Sequence, residues 1–296
     1  MQALIVGCGD VGCRLALRLQ ARGIAVTGVV RSPSSVAALR RLGITPLLAD
    51  LDADVIADWP PADWLFHFAP PPETGDADPR LVGTLAALRV APARLVYLST
   101  SAVYGDCEGR WIDETESLKP KSARGQRRLD AERSALAYAR EHGSAAMILR
   151  VPGIYGPGRL PLQRLNAGAP LVQRDQSPYT NRIHADDLAA AAQRVAELGA
   201  DGAAYNVSDG QPTTMTDYFQ RCARLLGVPP LPEQPLEAAL RTMSPMLRSF
   251  LEESKRLSNR RLVEELGWQP QYPNLDTGLP ASLDADAVVR AFTGAA

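Results

Sequence analysis

The feature that most narrows what this chain can fold into is the string Gly7-Cys8-Gly9-Asp10-Val11-Gly12, set directly behind the apolar run Gln2-Ala3-Leu4-Ile5-Val6. Each glycine answers a separate demand: Gly7 permits a tight turn, Gly9 lets backbone approach a pyrophosphate, and Gly12 lets helix and strand pack closely. The helix that follows offers its N-terminus to the phosphates. That helix is visible in the sequence, because Val11, Leu15 and Leu19 recur every four residues, Arg14, Arg18 and Arg22 fall on another face, and Gly23 stops the pattern. A strand, this turn and a helix in that order read as a dinucleotide-binding unit, with Gly7, Cys8, Gly9, Asp10, Val11 and Gly12 as cofactor contacts.

Beyond the turn, short apolar runs alternate with longer stretches of helical period, the pattern that builds a parallel sheet covered on both faces. Strands are expected at Ala3–Val6, Ala25–Val30, Pro46–Ala49, Trp64–Ala69, Leu95–Ser99 and Ala146–Arg150. After Arg150 strand signals weaken, loop-like stretches occur at Pro152–Pro161 and Pro229–Pro235, and helices are expected at Asp186–Leu198, Thr216–Leu226, Leu236–Phe250 and Asn259–Leu266. The expected fold is α/β, a Rossmann doubly wound parallel sheet with a small C-terminal substrate lobe. Residues 1–158 with about 183–208 would form the dinucleotide domain, and 159–182 with about 209–296 the lobe.

The end of the second strand separates two cofactors. Proteins that prefer NAD place an Asp or Glu about 20 residues beyond the glycines to accept from the ribose hydroxyls, whereas an Arg accommodates a 2′-phosphate. Here Arg31-Ser32 holds that place, and no acidic residue occurs between Asp10 and Asp50. NADP is the expected cofactor and NAD the alternative. The competing account of Arg31 is one more surface arginine in a chain where 29 basic residues are Arg and 3 are Lys.

A formal net charge of −1 exerts no global pull on nucleic acid, which is not expected as a partner. No apolar run approaches the roughly 20 residues that cross a bilayer, and Gln2–Val6 already reads as a strand, so neither a membrane span nor a leader is expected and the protein reads as cytoplasmic. Cys8, Cys13, Cys107 and Cys222 are scattered and read as reduced thiols, and His67, His142 and His184 lie too far apart in sequence to suggest a metal site.

Several further stretches point the same way. Asp50-Leu51 follows the third strand, and His67-Phe68-Ala69-Pro70-Pro71 closes the fourth. Leu95-Val96-Tyr97-Leu98-Ser99-Thr100-Ser101-Ala102-Val103-Tyr104-Gly105, Leu149-Arg150-Val151-Pro152-Gly153-Ile154-Tyr155-Gly156-Pro157-Gly158 and Arg182-Ile183-His184-Ala185-Asp186-Asp187-Leu188 come next, then Tyr205-Asn206-Val207 and Glu265-Leu266-Gly267-Trp268-Gln269-Pro270. Together they resemble the extended short-chain dehydrogenase/reductases, the NAD-dependent epimerase/dehydratase family, nearly end to end. The resemblance implies that Asp50 and Leu51 contact adenine, that Ala69, Pro70, Pro71, Ser99, Pro152 and Ile154 line the cofactor, and that Thr100 touches the substrate hydroxyl.

One departure from the family bears on chemistry. Members that move hydride carry Y-x-x-x-K, in which the tyrosine exchanges a proton with substrate and the lysine lowers its pKa and holds the nicotinamide ribose. No tyrosine here is followed four residues later by lysine; Pro120 and Glu132, aligned with the family's flanking Pro and Glu, put Arg124 at the tyrosine position and Arg128 at the lysine position. The Asn expected before Gly83-Thr84 is Arg80. A guanidinium stays protonated at working pH and cannot replace the tyrosine as acid or base. Arg124 and Arg128 share a helix face, and two accounts stand: a clamp for a phosphate or carboxylate, or a solvated face balanced by Asp130 and Glu132.

Other residues carry paired readings. Tyr104, Tyr155 and Tyr179 are substitutes for the lost tyrosine, and His184 is either a substrate contact or a packed histidine. Arg150 and Arg182 are either anion contacts or ion-pair partners. Cys8 and Cys13 lie where a helix dipole favours a thiolate, although small side chains there also serve packing. The leading expectation is an oxidoreductase or epimerase acting on an anionic sugar-nucleotide-like or small carbonyl/hydroxyl substrate, with Thr100, Arg124, Arg128, Tyr104 and His184 as catalytic candidates. The alternatives are a non-catalytic NADP-binding redox sensor or regulatory protein and a structural homodimer; a homodimer is compatible with the first two as well.

Overall fold

Seven strands make the central sheet: β1 (Gln2–Val6), β2 (Ala25–Val30), β3 (Thr45–Leu48), β4 (Trp64–His67), β5 (Arg94–Thr100), β6 (Ala145–Val151) and β7 (Ala204–Asn206). They lie in the order β7-β6-β5-β4-β1-β2-β3, and every pairing is parallel. The computed structural model describes residues 1–53, 59–242, 248 and 251–293. The six expected strands are present, each within about two residues of its expected ends. The seventh spans three residues at the sheet edge, too short a run to stand out by composition.

The strands read as continuous apolar runs because both sheet faces are covered. Ala3 and Ile5 of β1, Val96 and Leu98 of β5, and Met147 and Leu149 of β6 enter one core. Their neighbours Leu4, Val6, Leu95, Tyr97, Ala146 and Ile148 enter the other. The first face is covered by α1 (Asp10–Gln20) and, once α2 (Pro33–Arg41), α3 (Pro79–Ala86) and α4 (Ala123–His142) have passed, by α5 (Ala185–Leu198). Helices α3 and α4 cover the second face. Local chemistry sets their starts: Ser32, Asp78 and Ser122 accept from Ser35, Leu81 and Gly125 N–H, and Pro33 and Pro79 occupy first-turn positions.

The remaining elements include α6 (Met215–Leu225) and short strand pairs joining Gly153–Tyr155 to Arg182–His184, Tyr179–Thr180 to Thr213–Thr214, and Trp111–Ile112 to Arg256–Leu257. Tyr155, Leu165, Leu171, Tyr218, Cys222 and Leu275 are among the residues of a separate apolar cluster. Not every residue past 208 belongs to that side, since Leu262, Leu266, Trp268 and Val288 pack into the first sheet-face core with Ile5. The expected division of the chain is corrected there: the last segment returns to cover the sheet. The expected helix at Leu236–Phe250 is seen as Leu236–Thr242, and residues 243–247, 249 and 250 lie outside the described ones.

Candidate active site

Parallel strands put all their C-terminal ends at one edge, and two clefts open there. The first, of about 310 Å³, lies where β1 and β4 adjoin and the strand order reverses, the place where open α/β sheets hold ligands. Gly7, Cys8 and Gly9 form its floor, Val29, Val30 and Arg31 come from the end of β2, Asp50, Leu51 and Asp52 from beyond β3, and Ala69 and Pro70 from beyond β4.

The three glycines serve different surroundings. Gly7 has φ +83°, and a Cβ there would stand 2.4 Å from the Ala69 nitrogen, so only glycine fits between the two chain segments. A Cβ on Gly12 would press on the Gly7 carbonyl at 3.2 Å and on Ile5 at 3.2 Å. Gly9 meets nothing of the protein within 4 Å. Its open backbone faces the cleft at the start of α1 and has the form a pyrophosphate requires. The residues present therefore fit a dinucleotide.

The end of this cleft formed beyond β2 and β3 is charged. Arg31 lines the cleft, and Ser32 caps α2 and contacts Ser34 and Ser35; Ser35 reaches the lining, a contact that sequence spacing did not reveal. Arg80 forms a two-pronged pair with Asp52, at 2.7 and 2.6 Å, and donates to the Pro70 carbonyl at 2.8 Å. Those hydrogen bonds hold the Asp52 carboxyl below its ordinary value. Arg80, read only as a lost Asn, thus bridges the two sides of this cleft.

Other expected cofactor residues support the turn from behind. Val11 is buried in the first core, Pro71 is half-buried outside the lining, and the Asp10 carboxylate faces ion partners. Arg14, 4% exposed, holds Asp10 at 2.8 Å, Asp186 at 2.6 Å and Asp286 at 2.6 Å, while Arg159 takes the second Asp10 oxygen. Cys8 and Cys13 are fully buried with sulfurs 4.0 Å apart, and a hydrogen bond that the Cys8 thiol donates to Cys13, together with burial, raises the Cys8 thiol well above its ordinary value. Of the two readings of Cys8, packing is the one the structure favours. Cys8 fills the space against Gly28 and Leu39.

The second cleft, of about 450 Å³, has Thr100, Ser101 and Arg124 on one side, Pro152, Gly153 and Ile154 at the back, and Tyr179, Arg182, Tyr218, Glu253 and Lys255 on the other. Thr100 closes β5, and its Oγ1 accepts from the Ala102 N–H at 3.3 Å, a role that does not use the hydroxyl's own hydrogen. Arg124 enters from the first turn of α4. Burial pushes its pKa down and the Glu253 charge pushes it back up. Glu253 pairs with Lys255 at 2.7 Å, both nearly buried; neither residue carried a sequence signal, since the segment adopts its position only through tertiary folding.

The structure separates the remaining catalytic candidates from this cleft. Arg128 does not join Arg124 in a clamp: it turns inward and donates to the Leu98 carbonyl at 2.5 Å and the Tyr97 hydroxyl at 3.2 Å. The proposed balance is corrected as well, because Glu132 pairs with Arg150 at 2.9 Å and accepts from Ser99 at 2.5 Å. Ser99 is therefore buried under the sheet edge. Tyr104 donates to Asn206 at 2.8 Å and accepts from Arg150 at 3.0 Å, fully enclosed, and burial pushes its pKa up to about 12. Tyr155 donates to the Asn274 carbonyl in the C-terminal cluster. His184 caps α5 by accepting from the Asp186 N–H at 3.2 Å, lies against Tyr155 and Tyr272, and has its pKa lowered by burial. Of the alternative tyrosines named, Tyr179 reaches the cleft. Among the described residues, no group of His, Cys, Asp and Glu is arranged to hold a metal, and no helix is long and apolar enough to cross a membrane.

A sheet of this order, with a glycine cradle at its switch point and a hydroxyl-bearing second cleft beside it, defines a dinucleotide-binding α/β protein. The chain belongs to the NAD dependent epimerase/dehydratase family, whose model matches residues 3–208. It is 29% identical over 285 residues to Protein YeeZ of Escherichia coli (strain K12), covering 91% of this chain and 96% of that one. A conserved protein of unknown function from Silicibacter pomeroyi superposes with a TM-score of 0.79 at 33% identity, over 96% of this chain and 99% of that one. The UDP-glucuronic acid 4-epimerase of Bacillus cereus, solved in complex with NAD, shares the fold at a TM-score of 0.74 and 18% identity, over 100% and 99% of the two chains.

Proposed function

We propose that the protein is an NADP-dependent oxidoreductase or epimerase acting on a hydroxyl or carbonyl carbon of an anionic, sugar-nucleotide-like substrate. The observation that carries this reading is the second cleft, where the Thr100 hydroxyl and the Arg124 guanidinium share one lining beside the dinucleotide cradle. Gly7, Gly9 and the start of α1 would hold the pyrophosphate, Asp50 and Leu51 the adenine, and Arg31 with the Ser32–Ser35 cap a 2′-phosphate. When bound, the nicotinamide supplies hydride exchange with a substrate carbon. Thr100 orients the substrate oxygen by donating to it, and Arg124 steadies negative charge that gathers there. Proton exchange falls to another lining group, and Tyr179 and Glu253 stand in the cleft.

A second reading, cofactor binding without turnover, is supported by Arg124 standing in the cleft at the position where the family carries its tyrosine. Following NADPH oxidation across a panel of sugar nucleotides and small carbonyls separates the two. Turnover that falls at least about a hundredfold in Thr100→Ala, an oxygen-orienting contact being worth a few kcal/mol, supports the enzyme. Tight NADPH binding with no turnover of any compound overturns it in favour of the binding protein.

A further inference from the structure

Arg182 differs from the other arginines identified as possible anion contacts. Arg150 is neutralised by Glu132 at 2.9 Å, with Tyr104 adding a hydrogen bond. Arg159, in the cleft wall, is paired with Asp10. Arg182 makes one hydrogen bond, from Nη1 to the Asn181 carbonyl at 2.9 Å, and no ion pair among the described residues. The carboxyl whose charge it feels most, Asp209, is itself pushed up to about 7 by burial, so it is a weak counterion near neutral pH. Arg182 is half-buried, and the partial loss of hydration lowers its pKa.

Its setting is built rather than incidental. The Tyr218 ring covers one face of the guanidinium, with the Arg182 Cζ 4.3 Å from the ring centroid. Gly153 lies so near that a Cβ there would be 2.6 Å from Arg182 Nη1. Register places it at the reacting end: Thr100 pairs with Val151 in the sheet, and Gly153, two residues on, pairs with Arg182. Arg124, Arg182 and Lys255 thus line one cleft with Thr100, and Glu253 is engaged by Lys255. With one face covered by the ring and Nη1 held by the Asn181 carbonyl beside Gly153, Nε and Nη2 are the donors with no hydrogen bond among the described residues. A planar carboxylate matches those two donors through two parallel N–H···O bonds.

We propose that Arg182, with Arg124, forms a carboxylate-binding subsite next to Thr100, so that the substrate bears a carboxylate close to its reacting hydroxyl or carbonyl carbon. This rests on the reading of the cleft as a substrate site and names the acidic group that site selects.

The test is calorimetric titration of the full-length, NADPH-loaded protein with UDP-glucuronate, UDP-glucose, malonate and inorganic phosphate, on wild type, Arg182→Gln and Arg182→Lys. UDP-glucuronate is expected to bind at least about tenfold tighter than UDP-glucose, the worth of one charge-assisted pair, with the gap lost in Arg182→Gln and partly kept in Arg182→Lys. NADPH affinity, by fluorescence, stays within about twofold in both variants, which shows that they fold. Equal binding of the two sugar nucleotides by wild type, or a gap that survives Arg182→Gln, overturns the subsite and leaves the proposed function standing. Silence from both sugar nucleotides with malonate binding that Arg182→Gln abolishes keeps the subsite and overturns the sugar-nucleotide reading. Phosphate binding tighter than malonate overturns the carboxylate assignment, as does silence from every carboxylate.

Discussion

The two clefts are made of different materials. The first is shaped by backbone: Gly7 and Gly12 are pressed by neighbouring chain, and Gly9 is left bare to the cleft. The second is shaped by side chains drawn from β5, α4, the segment after β6, α6 and the residues around 253–255. A bare glycine turn leading into the start of α1 suits any phosphate chain, whereas a wall of Arg124, Arg182, Tyr218 and Lys255 can be altered one residue at a time. Cofactor binding and substrate choice are therefore set by separable parts of the molecule.

The contrast can be broken most severely from beneath both clefts. Glu132→Ala removes the carboxylate that holds Arg150 and Ser99, leaving a buried guanidinium unpaired. A loss of about 3–5 kcal/mol in urea unfolding is expected, and a loss under about 1 kcal/mol would show that the pair is dispensable. Gly7→Ala comes next, because the added Cβ meets backbone and the residue has a positive φ. It is expected to cost about 3 kcal/mol and to abolish NADPH binding.

Gly9→Ala sharpens the comparison, for nothing of the protein opposes its Cβ. Stability is expected to stay within about 1 kcal/mol of wild type while NADPH affinity falls about tenfold or more. Similar stability losses in Gly7→Ala and Gly9→Ala would refute the division between packing and ligand glycines. Arg31→Ala is a finer probe, expected to weaken NADPH about tenfold and leave NADH unchanged; equal effects on both cofactors would remove the case for NADP.

The smallest effect concerns pH. Burial pushes the Asp209 carboxyl up to about 7, so the folded protein keeps a proton that the unfolded chain gives up near pH 4. Folding stability from this residue is highest below pH 4 and is lost as pH rises toward 7. Asp209→Asn should reduce that decline by about 1–2 kcal/mol between pH 5 and 8, as measured by denaturant titration. An unchanged pH profile would mean that Asp209 ionises normally.

How much of this was readable beforehand follows the same division. The glycine string, the strands behind it and Arg31 lie within thirty-one residues, and their roles depend on backbone conformation and local order. The second cleft was legible at Thr100 and Arg124, which sit at a strand end and a helix start, whereas Pro152 and Ile154, expected along the cofactor, line this cleft instead. Glu253 and Lys255 were not legible, because no period or spacing says that a distant segment will face β5. Tyr104 and Arg128 turn away for a related reason: their neighbours in sequence are site residues, but a side chain at a strand or helix end can turn inward, and His184 takes the packed one of its two readings.

The Arg14 network has a consequence for how the chain is made. Synthesis delivers the glycine turn well before Asp186 and Asp286, yet the guanidinium behind that turn has its full set of carboxylates only when Asp10, Asp186 and Asp286 have met. Domains generally begin folding from the N-terminal side as they emerge. Here an early part of the site keeps an unfilled place for a segment made much later, so the cofactor cradle is braced only after the intervening sheet and helices have been synthesised.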